Sequence, residues 1–221
     1  MDNFFDSIAD AYDNWYDTPE GSAIFREEVQ CLRNLCDPSD GRWLEVGIGT
    51  GRFATDLGIT HGIDLSFPMV KKAVSRGMRG QVGRAEQLPI RTGSLDGVLM
   101  ALTLCFLENP EAAVLECARV LRDKGKLVLG TIPADSPWGR AYVNKGAQGH
   151  PVYSHARFHT IREVIHLAEN ADFRLRQSRS ALFWEPDSRP AVSSKITLTV
   201  AAEAGFVGLL FQFSRRPSTI S

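Results

Sequence analysis

Three glycines and one carboxylate recur at every second position in the run Glu45-x-Gly47-x-Gly49-x-Gly51. The residues before the glycines favour a buried strand, and those after them favour a helix over 51–57. Glycine accepts positive φ and lets a ligand lie against the backbone, while the start of a helix offers unpaired N–H groups. The pattern predicts a cradle for a nucleotide-like molecule, although a plain turn would also accommodate it.

The spacing of these glycines argues against a dinucleotide cofactor. The dinucleotide fingerprint, Gly-x-Gly-x-x-Gly, would require a glycine where this chain has Arg52. A large side chain there would hinder the packing of the helix on the strand, and the Glu45 carboxylate is awkward beside a pyrophosphate. An acid at this place suits a ligand that carries an ammonium group. A nicotinamide-dependent oxidoreductase is therefore the less favoured alternative.

A second carboxylate follows at the distance expected for the next strand. Asp64 lies 17 residues after Gly47 and ends the short run 61–64. A carboxylate at the end of the second strand of a βαβ unit can accept both ribose hydroxyls of an adenosine. A polar turn over 83–90 and an apolar strand over 94–100 come next. These downstream segments favour a ligand-binding turn over a plain one.

Together these segments resemble the class I S-adenosylmethionine (SAM)-dependent methyltransferases of the small-molecule type, similar to the ubiquinone and menaquinone biosynthesis group. The resemblance covers roughly residues 4–170 and is strongest at 42–130. It implies SAM as cofactor, S-adenosylhomocysteine (SAH) as product, no metal, and methyl transfer to a small-molecule acceptor by in-line displacement. The cofactor-binding residues that it implies are Glu45, Gly47, Gly49, Gly51, Asp64, Leu65, Met69, Ala85, Glu86 and Leu102.

The chain departs from the family pattern at three positions, and this leaves the catalytic residues open. Arg84 stands where the family often has Asp against the adenine, so Glu86 or the backbone near Ala85 is expected to serve instead. Cys105 and Phe106 stand where the family often has histidine. A SAM-binding protein without catalysis is thus a second alternative. The weak candidates for a general base are Tyr12, Tyr153 and His155.

Strands and helices alternate along the chain in the manner of a parallel α/β sheet. Strands are predicted near 42–46, 60–64, 79–83, 95–101 and 126–132, with helices at 51–57, 67–76, 110–122 and 160–170. A sixth strand is predicted to start at 173–176, and a last strand to cover 206–213. We expect a single domain over 1–221, a Rossmann-like three-layer sandwich. Its seven-stranded sheet should be mostly parallel, with an antiparallel last strand and helices on both faces.

Two segments outside the sheet are predicted to flank its ligand-binding edge. Aromatic residues at three- and four-residue steps predict a helix at the start of 1–36, and a second helix over about 22–36 follows a break at Pro19. This N-terminal pair is expected to form a lid over the cofactor, with Tyr12 and Tyr16 as contributors. The segment 133–158, rich in Gly and Pro, is expected to be an irregular binding loop on the substrate side.

Composition indicates the kind of partner and compartment. Lys plus Arg number 25 and Asp plus Glu number 26, so no charge excess favours nucleic acid. No apolar run approaches the roughly 20 residues of a membrane-spanning helix, and the first residues do not have the pattern of a secretion signal. Four scattered cysteines without a Cys-x-x-Cys pair favour a reducing cytoplasm. We therefore expect a cytoplasmic protein that acts on a small molecule, with its oligomeric state left open.

Overall fold

The computed structural model describes residues 4–39, 41–188 and 196–214. Its strands are β1 (Trp43–Val46), β2 (His61–Asp64), β3 (Arg79–Val82), β4 (Leu95–Ala101), β5 (Leu121–Thr131), β6 (Phe173–Ala181) and β7 (Phe206–Phe213). They form one seven-stranded sheet in the order β3-β2-β1-β4-β5-β7-β6. The neighbouring pairs from β3 to β5 are parallel, whereas β7 runs antiparallel to both β5 and β6. The predicted fold class is therefore confirmed, including the antiparallel last strand.

Helices cover both faces of this sheet. They are α1 (Phe4–Trp15), α2 (Pro19–Arg33), α3 (Arg52–Leu57), α4 (Phe67–Ser75), α5 (Pro110–Val120), α6 (Pro137–Ala147) and α7 (Ile161–Asn170). The alternation of side chains along β4 separates two cores. Val98 and Met100 pack in a cluster with α5 and α7, while Leu99 and Ala101 pack in a second cluster with α2 and α3. Because both faces of the central strands are covered, β4 is buried along its whole length.

Polar side chains fix where several helices begin. Ser66 Oγ accepts a hydrogen bond from Met69 N at 3.4 Å, with Pro68 in the first turn of α4. Thr160 and Glu163 form a reciprocal capping box at the start of α7. Such caps satisfy N–H groups that have no partner within the helix. The start of α4 is thereby fixed directly after β2, where a ligand-binding edge is expected.

The N-terminal helices and the end of α5 differ from the predicted boundaries. The predicted break between the two N-terminal helices is present at 16–18, but the second helix covers Pro19–Arg33 rather than about 22–36. Pro19 lies in the first turn of α2, which Thr18 caps, since proline fits the first helical positions. The helix α5 ends at Val120 rather than 122, because Leu121 already pairs with Leu95 in the sheet. Residues 1–3 of the predicted lid lie outside the described residues.

The segment 133–158 is not the irregular loop that its glycines and prolines predicted. Ser136 Oγ accepts a hydrogen bond from Gly139 N at 3.0 Å and caps α6, which has Pro137 in its first turn. A short 3-10 turn follows at Tyr153–His155. Pro137 was interpreted as a residue that interrupts helices, although proline is favoured in the first turn of a helix. The aromatic side chains of α6, Trp138 and Tyr142, are therefore held in a helix and are buried.

Candidate cofactor and acceptor site

A cleft of about 400 Å³ lies at the carboxyl ends of β1, β2 and β4. Its walls include residues at the end of each of these strands or directly after it, namely Gly47, Asp64 and Leu102. In the sheet, β1 lies between β2 and β4, so the strand order reverses at β1. Ligands usually bind at such a reversal point in open α/β sheets. The predicted cofactor residues that line the cleft are Gly47, Gly49, Asp64, Leu65, Met69, Ala85, Glu86 and Leu102. Glu45 and Gly51 do not line it.

The glycine turn presents bare backbone to the cleft at Gly49. The turn is held by N–H groups of Gly47 and Ile48, which donate to Ile63 O at 2.7 and 3.0 Å. Gly49 has a φ of +54°, and a Cβ placed on it would meet no protein atom within 4 Å. Because Gly49 also lines the cleft, a side chain there would occupy ligand space. Its absence therefore leaves room for a ligand against the backbone.

The other two glycines of the motif serve packing within the protein. A Cβ on Gly47 would collide with the side chain of Thr103, which follows β4. A Cβ on Gly51 would lie 3.0 Å from the Cα of Ala73 in α4. Gly51 therefore allows α3 and α4 to approach each other, which is a structural reason for its place in the motif.

The Asp64 carboxylate joins two parts of the structure, and the residue lines the cleft. Its carboxylate accepts hydrogen bonds from Gly49 N at 2.8 Å and from Ser66 N at 2.9 Å, so it joins the glycine turn to the start of α4. Burial raises the pKa of Asp64, and the backbone N–H groups act against this rise. Each carboxylate oxygen can accept more than one hydrogen bond, so capacity for ligand hydroxyls remains. The carboxylate lines the cleft as the sequence predicted.

Glu45 lies behind the turn rather than facing the ligand. Its side chain is 1% exposed and receives a backbone hydrogen bond from Ala54, in the first turn of α3. Burial raises its pKa well above the ordinary value, and one oxygen has no partner. In this position Glu45 supports the helix that follows the glycines. The ammonium-facing role predicted for it is not what the geometry shows.

The turn after β3 carries the residues expected at the adenine. Ala85 and Glu86 line the cleft, and so does Arg84. Arg84 Nη2 lies 3.0 Å from Glu108 Oε2, and its Nε lies 3.5 Å from Glu86 Oε2. Arg84 therefore links this turn to the segment that precedes α5. The Arg84 guanidinium therefore forms ion pairs within the protein, whereas the Asp that the family often has at this position contacts the adenine.

Leu102 stands at a strained backbone position on the cleft wall. It is not glycine but has a φ of +56°, in the left-handed region that costs side-chain-bearing residues free energy. Its N–H donates to Gly130 O at 2.8 Å, which holds the strand end in place. Strain of this kind concentrates at ligand sites, and no sequence pattern marks it.

A buried ion-pair network attaches α1 to the cofactor turn. Asp13 accepts hydrogen bonds from Arg52 Nε at 2.7 Å and from Arg76 Nη2 at 2.7 and 2.9 Å. Arg76 also donates to Thr50 O at 2.7 Å, within the glycine turn. Burial acts to raise the pKa of Asp13, but the bonds from Arg76 and Arg52 outweigh it and hold that pKa at about 2. The sequence analysis did not single out Asp13 or Arg76, because residues 39 and 63 positions apart show no local pattern.

Aromatic contacts bring α1 over the cleft. The ring of Phe4 stacks on His155 at 4.2 Å, and Phe5 contacts Phe106 edge-on at 5.0 Å. All four of these residues line the cleft. The first helix thus bridges the cleft between the end of β4 and the turn at 153–155. This placement is the one expected of a lid, although its movement stays a prediction.

The candidate bases differ in their positions. Tyr12 and His155 line the cleft, whereas Tyr153 does not and instead stacks on Tyr142 at 4.1 Å. Burial raises the pKa of Tyr12 well above its ordinary value and that of Tyr153 to about 12. Both phenols therefore keep their protons at neutral pH, which makes them hydrogen-bond donors rather than bases. Within the described residues, no group of three or more His, Cys, Asp or Glu side chains is placed to hold a metal ion.

Comparison with known proteins identifies the family. Residues 44–129 match the model described as a methyltransferase domain. An uncharacterized protein of Mycobacterium tuberculosis is 38% identical over 201 residues, covering 91% of this chain and 70% of that protein. An uncharacterized protein of Methanocaldococcus jannaschii is 35% identical over 207 residues, covering 94% of this chain and 97% of that protein. The similarity to both relatives therefore extends well beyond residues 44–129 of this chain.

A solved structure supports the same assignment. A Thermotoga maritima protein, described as a SAM-dependent methyltransferase and possible histamine N-methyltransferase, is similar with a TM-score of 0.86 and 30% identity. The match covers 95% of this chain and 98% of that one. A shorter match, 34% identical over 99 residues, joins 40% of this chain to 41% of the demethylmenaquinone methyltransferase of Roseiflexus castenholzii.

The chain belongs to the class I SAM-dependent methyltransferases, and SAM is its cofactor. The cleft fits this cofactor, because Gly49 leaves open backbone and Asp64 offers a carboxylate beside it. No helix within residues 4–39, 41–188 and 196–214 has the length and apolar character needed to cross a membrane.

Proposed function

We propose that this enzyme methylates a small molecule, which binds beside SAM at the end of β4. The observation that supports the cofactor part is the junction of Gly49 and Asp64, where open backbone and a buried carboxylate meet on one cleft wall. The acceptor part is supported by the aromatic wall of the same cleft, where Phe4, Phe5 and Phe106 lie beside His155.

The chain's own residues supply binding, orientation and exclusion of water. Asp64 and the turn at Ala85 and Glu86 would hold the adenosine part, and the backbone at Gly47 and Gly49 would lie against the rest. When bound, SAM supplies a methyl group already activated by a sulfonium. The protein must then align an acceptor nucleophile and keep water away, which the aromatic wall of α1 favours. Tyr12 is placed to donate a hydrogen bond rather than to remove a proton.

The direct test is binding followed by turnover. Calorimetry should show SAM and SAH binding to the wild-type protein at one site, and radiolabelled SAM should transfer its methyl group to a member of an acceptor panel. Histamine belongs in that panel because the Thermotoga relative is described as a possible histamine N-methyltransferase. Absence of SAM binding would refute the cofactor site. Tight binding without transfer to any acceptor would favour the alternative, a SAM-binding protein without catalysis.

A further inference from the structure

One histidine lines the cleft beside its aromatic wall. All five histidines of the chain lie within the described residues, and His155 alone is part of the cleft lining. The imidazole of His155 stacks on the ring of Phe4 at 4.2 Å. Phe5 contacts Phe4 at 5.3 Å and Phe106 at 5.0 Å, both edge-on. The imidazole thus belongs to a continuous row of rings that joins α1 to the residues after β4.

The turn that carries His155 is tied to the end of β4 by backbone hydrogen bonds. Arg157 N donates to Cys105 O at 2.7 Å, and Cys105 directly precedes Phe106 of the aromatic wall. Within the turn, His155 N donates to Val152 O at 3.2 Å. These bonds fix the backbone on both sides of position 155. The imidazole is therefore held beside the cleft residues that follow β4, where the proposed acceptor binds.

The ring nitrogens of His155 are available to a ligand. Neither of them has a hydrogen-bond partner in the part of the chain that the structure describes, whereas His150 Nδ1 accepts from Val152 N at 3.2 Å and from Tyr153 N at 3.4 Å. Stacking on Phe4 occupies a face of the His155 imidazole, while its nitrogens lie on the edge of the ring. A neutral imidazole has one nitrogen that can accept a proton, and histidine is the commonest general base in enzymes.

The other ionisable groups of the cleft already have partners or keep their protons. Those that share the cleft with His155 are Tyr12, Asp64, Arg84, Glu86 and Glu108. Asp64 accepts hydrogen bonds from the backbone of the cofactor turn, and Arg84 forms ion pairs with both glutamates. Burial raises the pKa of the Tyr12 phenol, which therefore stays protonated. His155 is thus the cleft side chain that is placed to take a proton from an acceptor, and no unpaired carboxylate lies beside the aromatic wall for a cationic one.

We propose that His155 is the general base of the reaction and that the methyl acceptor is an aromatic ring that carries a hydroxyl group. The proposal rests on the proposed function, since it names the acceptor class for the same cleft. The acceptor ring packs against Phe4, Phe5 and Phe106, because aromatic rings pair favourably edge-to-face or offset-stacked. A phenolic hydroxyl has an ordinary pKa of about 10, as in tyrosine, so it keeps its proton at neutral pH and needs a base.

The step balances without a further reactant. The acceptor oxygen forms a bond to the methyl carbon while the bond from that carbon to sulfur breaks, and the electron pair of the broken bond stays on sulfur. The hydroxyl proton passes to a ring nitrogen of His155. Because His155 is an exposed residue, its imidazolium can then release the proton to water.

The first measurement is the ionisation of a bound phenol, which requires no methyl transfer. SAH-loaded protein is titrated with 4-nitrophenol, whose absorbance differs between the protonated and the ionised form. At one fixed pH, the ratio of ionised to protonated bound ligand should be at least about tenfold higher on wild type than on His155→Asn, since a proton acceptor beside the hydroxyl favours its ionised form. The matched control is His166→Asn, an exposed histidine of α7 outside the cleft, and it should behave as wild type.

The second measurement compares methyl transfer from SAM to 4-nitrophenol and to 4-methoxyphenol, which holds its proton more tightly. His155→Asn should lower kcat for 4-methoxyphenol by about 10²–10⁴-fold, the usual contribution of a general base, with KM little changed. The loss should be smaller for 4-nitrophenol, because a more acidic hydroxyl depends less on a base. A residue that only shaped the wall would lower both rates by the same factor.

Equal losses of kcat for the two phenols, or the same ionisation of 4-nitrophenol on wild type and His155→Asn, overturn the role of His155. A wild-type protein that binds neither phenol, or that methylates amines and not phenols, overturns the acceptor class. Methylation of amines would still uphold the proposed function, and SAH binding would still uphold the cofactor site. The wild-type measurements need no variant, so a folding defect in His155→Asn would not prevent a decision on the acceptor class.

Discussion

Replacement of Asp13 by Asn tests whether the ion-pair network holds α1 over the cleft. The Asp13 side chain is 10% exposed, and its two oxygens receive hydrogen bonds from Arg52 and Arg76 at 2.7–2.9 Å. An amide has the same shape but no charge, and its nitrogen cannot accept from a guanidinium. The variant should therefore leave Arg76 without its counter-charge and Arg52 with only the exposed Asp17.

The magnitude follows from two independent considerations. The pKa of Asp13 lies at about 2 against an ordinary value of 3.8, which corresponds to about 2 kcal/mol of stabilisation of the charged form. Removing one partner of a buried ion pair costs roughly 3–5 kcal/mol. We expect a loss of about 2–4 kcal/mol in the free energy that keeps α1 docked. Because the folded-state pKa is depressed, this contribution is present above pH 4 and is lost as the pH falls toward 2.

Hydrogen exchange over residues 4–15 measures the docking of α1 directly. Asp13→Asn should exchange much faster there, and its affinity for SAH should fall because Arg76 also holds Thr50 in the glycine turn. The matched control is Asp17→Asn, which removes an ion pair with Arg52 at 2.9 Å from a side chain that is 67% exposed. Exposed pairs contribute about 0–1 kcal/mol, so this control should change exchange little. Equal exchange in the two variants would refute the reasoning.

Three further outcomes are expected. Asp64→Ala should weaken SAH binding by about 1.5–3 kcal/mol, the scale of hydrogen bonds to a charged group, and unchanged calorimetric affinity would exclude the ribose role. Gly49→Ala should abolish SAH binding and should cost no more stability than the control Gly77→Ala. Gly77 also has a positive φ and open space around its Cβ position, but it lies outside the cleft. Normal SAH binding by Gly49→Ala would place the ligand elsewhere. The folded-state pKa of Glu28 is raised from 4.5 to about 8, so its stabilising contribution is complete below pH 4.5 and declines by about 1.4 kcal/mol per pH unit up to pH 8. Denaturant unfolding should therefore show Glu28→Gln gaining stability over wild type as the pH rises through this range, and parallel pH profiles would contradict the buried unpaired carboxyl.

The sheet and its ligand edge could be predicted because their signals are local. The glycine run, Asp64 and the capping residue Ser66 each mark a strand end or a helix start within a few positions. The fold class follows once these units repeat, because parallel strands require crossover helices. The errors at Pro19 and Pro137 arose because proline breaks helices in their interior but favours their first turn.

The parts of the site that the sequence did not reveal depend on distant residues. Glu45 was expected to face the ligand, yet its side chain is buried and receives a hydrogen bond from the backbone of Ala54. Glu28 lies in α2, and only the packed structure shows that it is buried and that its Oε2 has no hydrogen-bond partner. An acidic residue in an amphipathic helix is ordinarily solvent-exposed, so composition gave no reason to single it out.

Arg52 connects the cofactor turn to α1 and to Tyr16, which follows it. In the sequence it stands where a dinucleotide-binding turn has glycine; in the structure its Nε lies 2.7 Å from Asp13, and its guanidinium lies 5.4 Å from the centre of the Tyr16 ring. Arg52 directly follows Gly51, so its hydrogen bond to Asp13 joins the glycine turn to α1. Tyr16 in turn contacts Tyr12, which lines the cleft. Release of α1, as in Asp13→Asn, should therefore weaken SAH binding even though α1 contains none of the predicted cofactor residues.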